Sequence, residues 1–120
     1  MDNDLIREVD KYGTIRYYNK ERQLHRLDGP AVEYNDGSKE WYQNGNLHRL
    51  DGPARENSNG HKAWYQNGEL HRLDGPAREW SDGTREWWIE GKYYKTEKEW
   101  EKARCPSLEE AIKMFKGVNP

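Results

Sequence analysis

The sequence predicts a mainly β protein: an antiparallel meander of β-hairpin repeats, closed by short C-terminal α-helices. Three observations predict it. The octapeptide LHRLDGPA occurs at residues 24–31, 47–54 and 70–77. The likeness extends outward from it, so that NDGSKEWYQNGNLHRLDGPAREN (35–57) aligns with SNGHKAWYQNGELHRLDGPAREW (58–80) at a period of 23 residues. Each unit also carries two glycine turns. One is Asp-Gly or Asn-Gly at 36–37, 59–60 and 82–83; the other is Asn-Gly at 44–45 and 67–68. Both tolerate the positive φ of tight hairpins, and two turns imply two strands per unit.

The elements follow in order. Residues 1–10 read as an N-terminal cap, in which Leu5, Ile6 and Val9 can share one helical face. Residues 11–95 hold three and a half repeats. KYGTIRYYNKERQLHRLDGPAVEY (11–34) is the same unit with one extra residue at its turn, and SDGTREWWIEGKYYK (81–95) is a half unit. Divergent end units are what capping of an array requires. Between the turns, KEWYQ, KAWYQ and REWWI are β-prone runs. Residues 96–120 read as a helical cap. Thr96 and Glu99 form a capping box for a helix over 97–104, and Cys105-Pro106 interrupts it. Ser107 and Glu110 form a second box, Gly117 suits the position after the helix end, and Leu108, Ala111, Ile112 and Phe115 make one apolar stripe. That stripe is expected to cover the last hairpin and block an open sheet edge, the alternative being a docking helix for a partner or a second copy.

Composition narrows the class. Eight Leu, four Ile, three Val and one Phe are few for a folded chain, but six Trp and eight Tyr supply large rings with polar handles. With a net charge of only −2, this predicts a folded domain with an aromatic core. A pI near 6.1 argues against nucleic acid as a partner. Cys105 is the only cysteine, which excludes an internal disulfide and suits a reducing cytosol. The start MDNDLIREVD is unlike a signal peptide, and no apolar run approaches the ~20 residues of a membrane span. A soluble, cytoplasmic protein is expected.

The octapeptide holds His, Arg and Asp, yet it reads as scaffold. Neighbouring strands lie ~4.8 Å apart, so His25, His48 and His71 recur roughly every 10 Å. They cannot share one zinc, whose ligand atoms lie about 2.0–2.3 Å from the metal. The octapeptide offers no Ser, Cys or Thr nucleophile. No catalytic, cofactor or metal site is expected, and no enzymatic activity. Instead the proline interrupts the ladder. Asp28, Asp51 and Asp74 bond nearby backbone, and Gly29, Gly52 and Gly75 take a left-handed or bulged conformation. Ala31, Ala54 and Ala77 are small where the chain resumes. His and Arg pair with the Asp of the same or adjacent unit.

Strand alternation places Trp41, Trp64 and Trp87 on one face and Tyr42, Tyr65 and Trp88 on the other. The tryptophans are expected in the core because indoles fill more volume. That leaves Tyr18, Tyr42, Tyr65 and Trp88 as the candidate partner-binding stripe, with Arg55, Arg78 and Trp80 nearby. His61, alone in a turn, is expected to be exposed.

These residues carry a resemblance. The unit resembles the MORN repeat, a β-hairpin of the same period, in the aromatic three residues before the turn glycine (Tyr42, Tyr65) and the histidine three residues after it (His48, His71). MORN units have Gly-x-Gly after that histidine, where this chain has Arg-Leu-Asp-Gly-Pro-Ala. The chain is more similar to the HR-x-DGPA repeat proteins of tailed bacteriophages and some large DNA viruses. Their arrays end in a Lys-Tyr segment and a Glu/Lys-rich helix, as KYYKTEKEWEKAR (92–104) does here. The likeness covers roughly residues 11–104. It implies a non-enzymatic viral accessory protein in the host cytoplasm that binds and modulates a host protein, such as a defence or metabolic enzyme. The alternative is a small-ligand protein that sequesters a nucleotide signal between repeated Trp and Arg side chains. A meander one layer thick also exposes enough surface for a homo-oligomer.

Overall fold

The computed structural model describes residues 4–104. The chain opens with the hairpin β1 (Ile6–Val9) and β2 (Ile15–Tyr18), then β3 (Val32–Glu33) and β4 (Lys39–Glu40). After β4 it leaves the sheet in a small hairpin, β5 (Tyr42–Gln43) and β6 (Asn46–Leu47), and returns through the octapeptide to β7 (Arg55–Glu56). The cycle repeats as β8 (Lys62–Ala63), β9 (Tyr65–Gln66), β10 (Glu69–Leu70) and β11 (Arg78–Glu79). The last unit is β12 (Arg85–Ile89) and β13 (Lys92–Tyr94), followed by helix α1 (Glu97–Arg104).

The architecture is the expected antiparallel hairpin meander with a helix after it. Nine strands form one sheet in the order β1-β2-β3-β4-β7-β8-β11-β12-β13, while β5–β6 and β9–β10 are separate two-stranded hairpins. Each full unit therefore has four short strands rather than two. The octapeptide divides the long arm, because its proline donates no ladder hydrogen bond. The second C-terminal helix, its apolar stripe and Cys105 lie outside the described residues.

Ile6–Val9 form a strand and not a helical turn: β1 pairs with β2 in the register Ile6↔Tyr18 to Val9↔Ile15. The turn explains this. Gly13 N–H donates to the Asp10 carbonyl (3.1 Å) and Asp10 N–H to Thr14 (3.0 Å), the same closure that Gly37, Tyr34 and Ser38 make at 3.0 and 2.9 Å. A hairpin turn needs a strand on both sides.

The two glycine turns differ in kind. Asn44-Gly45 and Asn67-Gly68 have positive φ at both residues (49° and 85°, 53° and 82°), the mirror-image turn that suits the twist of a two-residue hairpin. At the Asp-Gly turns only the glycine is left-handed, as at Gly37 (φ 93°), which marks a three-residue loop closed by a bulged glycine.

The core is small and made of alanine. Ala31, Ala54, Ala63 and Ala77 are fully buried, as is Val32, and Trp100 of α1 is 3% exposed. The expected tryptophan core is not found: Trp41, Trp64 and Trp87 are only half-buried. The molecule is 17 Å through its thinnest axis, and among the described residues no second layer packs on the nine-stranded sheet to cover them.

Candidate functional site

The octapeptide is a staple between units. In the second copy, the Arg49 guanidinium lies 3.8 Å above the Trp41 ring. Its Nε donates to Asp51 (2.9 Å), and its Nη1 to the Pro53 carbonyl (3.1 Å) and to Glu56 (3.4 Å). Arg26 over Tyr17 and Arg72 over Trp64 repeat this at 4.2 and 3.8 Å. Gly29, Gly52 and Gly75 do not take the left-handed conformation, one of the two expected for them. Their role is space: a Cβ on Gly52 would stand 2.9 Å from the Arg49 Cζ. The aspartates bind this guanidinium, the expected Arg–Asp pairing within one unit.

The histidines bind the backbone of the next unit. Nδ1 of His25, His48 and His71 accepts the N–H of Asn44 (3.0 Å), Asn67 (2.9 Å) and Glu90 (2.9 Å), each the first left-handed residue of a turn. Around the second copy, Gly68 N–H donates to the Leu47 carbonyl (2.9 Å) and Arg49 N–H to the Tyr65 carbonyl (3.1 Å). Each octapeptide thus grips the following hairpin at three points. Among the described residues, no group of three His, Cys, Asp or Glu side chains is placed to hold a metal ion.

The candidate stripe lies on the opposite, front face. The cross-strand row Arg16–Val32–Glu40–Arg55–Ala63–Arg78–Glu86 follows from the register and points one way. Side chains two residues along share that face, which puts Tyr18, Tyr42, Tyr65, Trp80 and Trp88 on the same side of the sheet as Arg55 and Arg78. Glu40 is one hub: it accepts from Tyr34 (3.3 Å) and Tyr42 (3.1 Å), and its Oε2 lies 3.2 Å from Arg55 Nε. Burial and the Glu40 carboxylate push the Tyr42 hydroxyl up to about 12, so it stays a donor. Glu86 is the second hub: Trp88 Nε1 donates to it (3.0 Å) and Arg78 Nη1 lies 3.6 Å away. Arg78 also lies 5.8 Å from the Trp80 ring, and Arg55 interacts electrostatically with both Tyr42 and Tyr65. Tyr18 sits toward the N-terminal end under Arg22, 4.5 Å away. All seven candidate residues thus lie along one face, and the aromatics are half-buried.

His61 is not exposed as expected. It is half-buried against Trp80, ring centres 4.9 Å apart, with Nδ1 3.3 Å from Asn57 Nδ2. Burial, then the positive charges of Arg78 and Arg55, hold its imidazole below the usual range. The unfolded chain therefore takes up the proton first, and the folded state loses stability as pH falls below about 6.5. His61→Gln should reduce the stability lost between about pH 7.5 and about pH 5.5, read by urea unfolding of both proteins. Equal losses in the two proteins would contradict this.

One set of residues escaped the sequence reading. Leu27, Leu50 and Leu73 are 55%, 75% and 49% exposed and flank grooves on the back face. The larger groove, about 590 Å³, lies between Leu50 and Leu73 with Trp64, Gln66 and His71 in its lining. The signal was available: each leucine immediately precedes Asp-Gly-Pro, where no ladder continues to bury it.

Together these features define a β-hairpin repeat protein whose repeated motif is structural and whose front face carries an aromatic and guanidinium stripe. Comparison with protein families, curated proteins and solved structures finds no match to this chain. No helix among the described residues is long and apolar enough to cross a membrane.

Proposed function

We propose that this is a non-enzymatic binding module that holds another protein against its front face. Following the HR-x-DGPA resemblance, it is a viral accessory protein acting in the host cytoplasm on a host protein, such as a defence or metabolic enzyme. The observation that supports this reading is the front face itself: Tyr42, Tyr65, Trp80 and Trp88 alternate with Arg55 and Arg78, the residue types that dominate protein interfaces. The octapeptide side chains, by contrast, are occupied in holding units together.

The test is capture from a bacterial lysate by the tagged protein, with mass spectrometry of what is retained. One stoichiometric protein is expected, held at least tenfold more weakly by Tyr65→Ala and by Trp88→Ala. Undiminished capture by both folded variants would place the interface elsewhere. A second reading, a nucleotide-signal binder, draws on the pairing of Arg78 with Trp80. It predicts a rise in melting temperature with nucleotide, and flat melting across a nucleotide panel would remove it.

A further inference from the structure

From Glu40 onward the front row alternates charge except at Ala63. Glu40 meets Arg55 and Glu86 meets Arg78, but the position between the two arginines is Ala63. The runs KEWYQ, KAWYQ and REWWI put Glu, Ala and Glu at that one place in successive units. Ala63 pairs in register with Arg55 on one side and Arg78 on the other, and has no exposed surface. Two guanidinium groups therefore flank a place where the units on either side supply a carboxylate.

The donors there are under-used. Among the described residues, four buried side-chain nitrogens lack a hydrogen-bond partner, and three of them are Arg55 Nε, Arg78 Nε and His61 Nε2. Arg55 Nε touches Glu40 Oε2 at 3.2 Å, outside hydrogen-bond geometry. Asn57 Nδ2 can only donate, so His61 Nδ1 accepts and Nε2 carries the hydrogen. Arg55 and Arg78 have 32% and 31% of their side chains exposed, so a ligand at the surface can reach part of each side chain. Trp80 and Tyr65 stand beside them on the same face.

We propose that Arg55, Arg78 and His61 form an anion site over Ala63 that receives a carboxylate side chain of the bound partner. The site rests on the binding-module reading and adds the chemistry of the partner: an Asp or Glu at the centre of its contact surface, ringed by apolar or aromatic residues that meet Tyr65 and Trp80. A carboxylate is favoured over other anions because Glu40 and Glu86 already meet these two arginines from their outer sides. A bidentate guanidinium–carboxylate contact also fixes orientation, which an aromatic stripe alone does not.

The site is testable without the partner. The probes are acetate, inorganic phosphate, and a short peptide with one Glu between tyrosines alongside its Gln counterpart, each followed by the His61 ring signals in NMR at constant ionic strength. The expected result is a saturable shift with acetate and the Glu peptide, at least tenfold weaker for the Gln peptide and for Arg78→Gln. Ala63→Glu should supply the carboxylate internally, raise the His61 titration midpoint, and abolish the shift. Ala63→Gln, of the same size, should not raise that midpoint, and it separates charge from crowding if Ala63→Glu folds poorly. Equal response to the Glu and Gln peptides, a shift with phosphate but none with acetate, or an unmoved His61 midpoint in folded Ala63→Glu would overturn the proposal. A working anion site in a protein that captures nothing from lysate would sink the binding-module reading and leave the site standing.

Discussion

Arg49→Ala is expected to lower the unfolding free energy by about 2–4 kcal/mol, far more than a surface ion pair is worth. The guanidinium is 23% exposed, stacks at 3.8 Å on Trp41, and bonds two carboxylates and the Pro53 carbonyl at once. Its removal uncovers an indole, leaves a half-buried carbonyl without its donor and unpairs Glu56. The effect is amplified by position. In an array each unit is held by its neighbours, and unit two lies in the middle. Arg49→Lys should recover little of the loss, since an ammonium neither stacks flat nor forks. Gly52→Ala places a methyl group against the Arg49 Cζ, so it should cost about 1–2 kcal/mol in the native sequence and little in Arg49→Ala, a coupling that a double-mutant cycle reads directly. Urea unfolding measures all of these. A loss under about 0.5 kcal/mol for Arg49→Ala would make the motif decoration rather than staple.

Much of this was legible because the chain repeats. A period of 23 with two glycine turns fixes a hairpin meander, and alternation in REWWI fixes which aromatics share a face; the structure places Trp87 against the helix and Trp88 against Glu86, on opposite sides. The octapeptide was legible as scaffold by distance alone. How it works was not. The partner of His48 is a backbone N–H 19 residues away, chosen by how two hairpins dock, and no local pattern encodes that. The tryptophans were misplaced because volume was taken as a guide to burial, while a sheet without a second layer covers its indoles with arginine. A signal for that did exist: Trp41 and Arg49, and Trp64 and Arg72, share a spacing of eight. On the front face the stripe was legible by alternation, but the break at Ala63 gains meaning only when register sets it between Arg55 and Arg78.

The same spacing predicts the second large effect. Eight residues after Trp87 stands Lys95, not arginine, and no octapeptide follows. The last indole is covered instead by α1: Trp100 packs against Trp87 with ring centres 6.5 Å apart, and its Nε1 donates to the Arg72 carbonyl at 3.0 Å. Arg104 then lies 4.7 Å from the Trp100 ring. An eight-residue helix is marginal by itself, even with Thr96 Oγ accepting from Glu99 N–H at 3.2 Å. Its stability comes from this one buried side chain. Trp100→Ala should therefore cost about 3–5 kcal/mol, with α1 lost from the circular dichroism and Trp87 emission shifted to the red. Trp100→Phe keeps the packing and loses the N–H, so it should cost about 1–2 kcal/mol and retain the helix. The helix closes the back of the sheet, and the proposed contact is on the front. Capture of a partner should then survive Trp100→Ala at temperatures where the variant remains folded, while Trp88→Ala, next to Trp87 but on the other face, should weaken it at least tenfold. Loss of capture in both would mean that the helix itself takes part in docking.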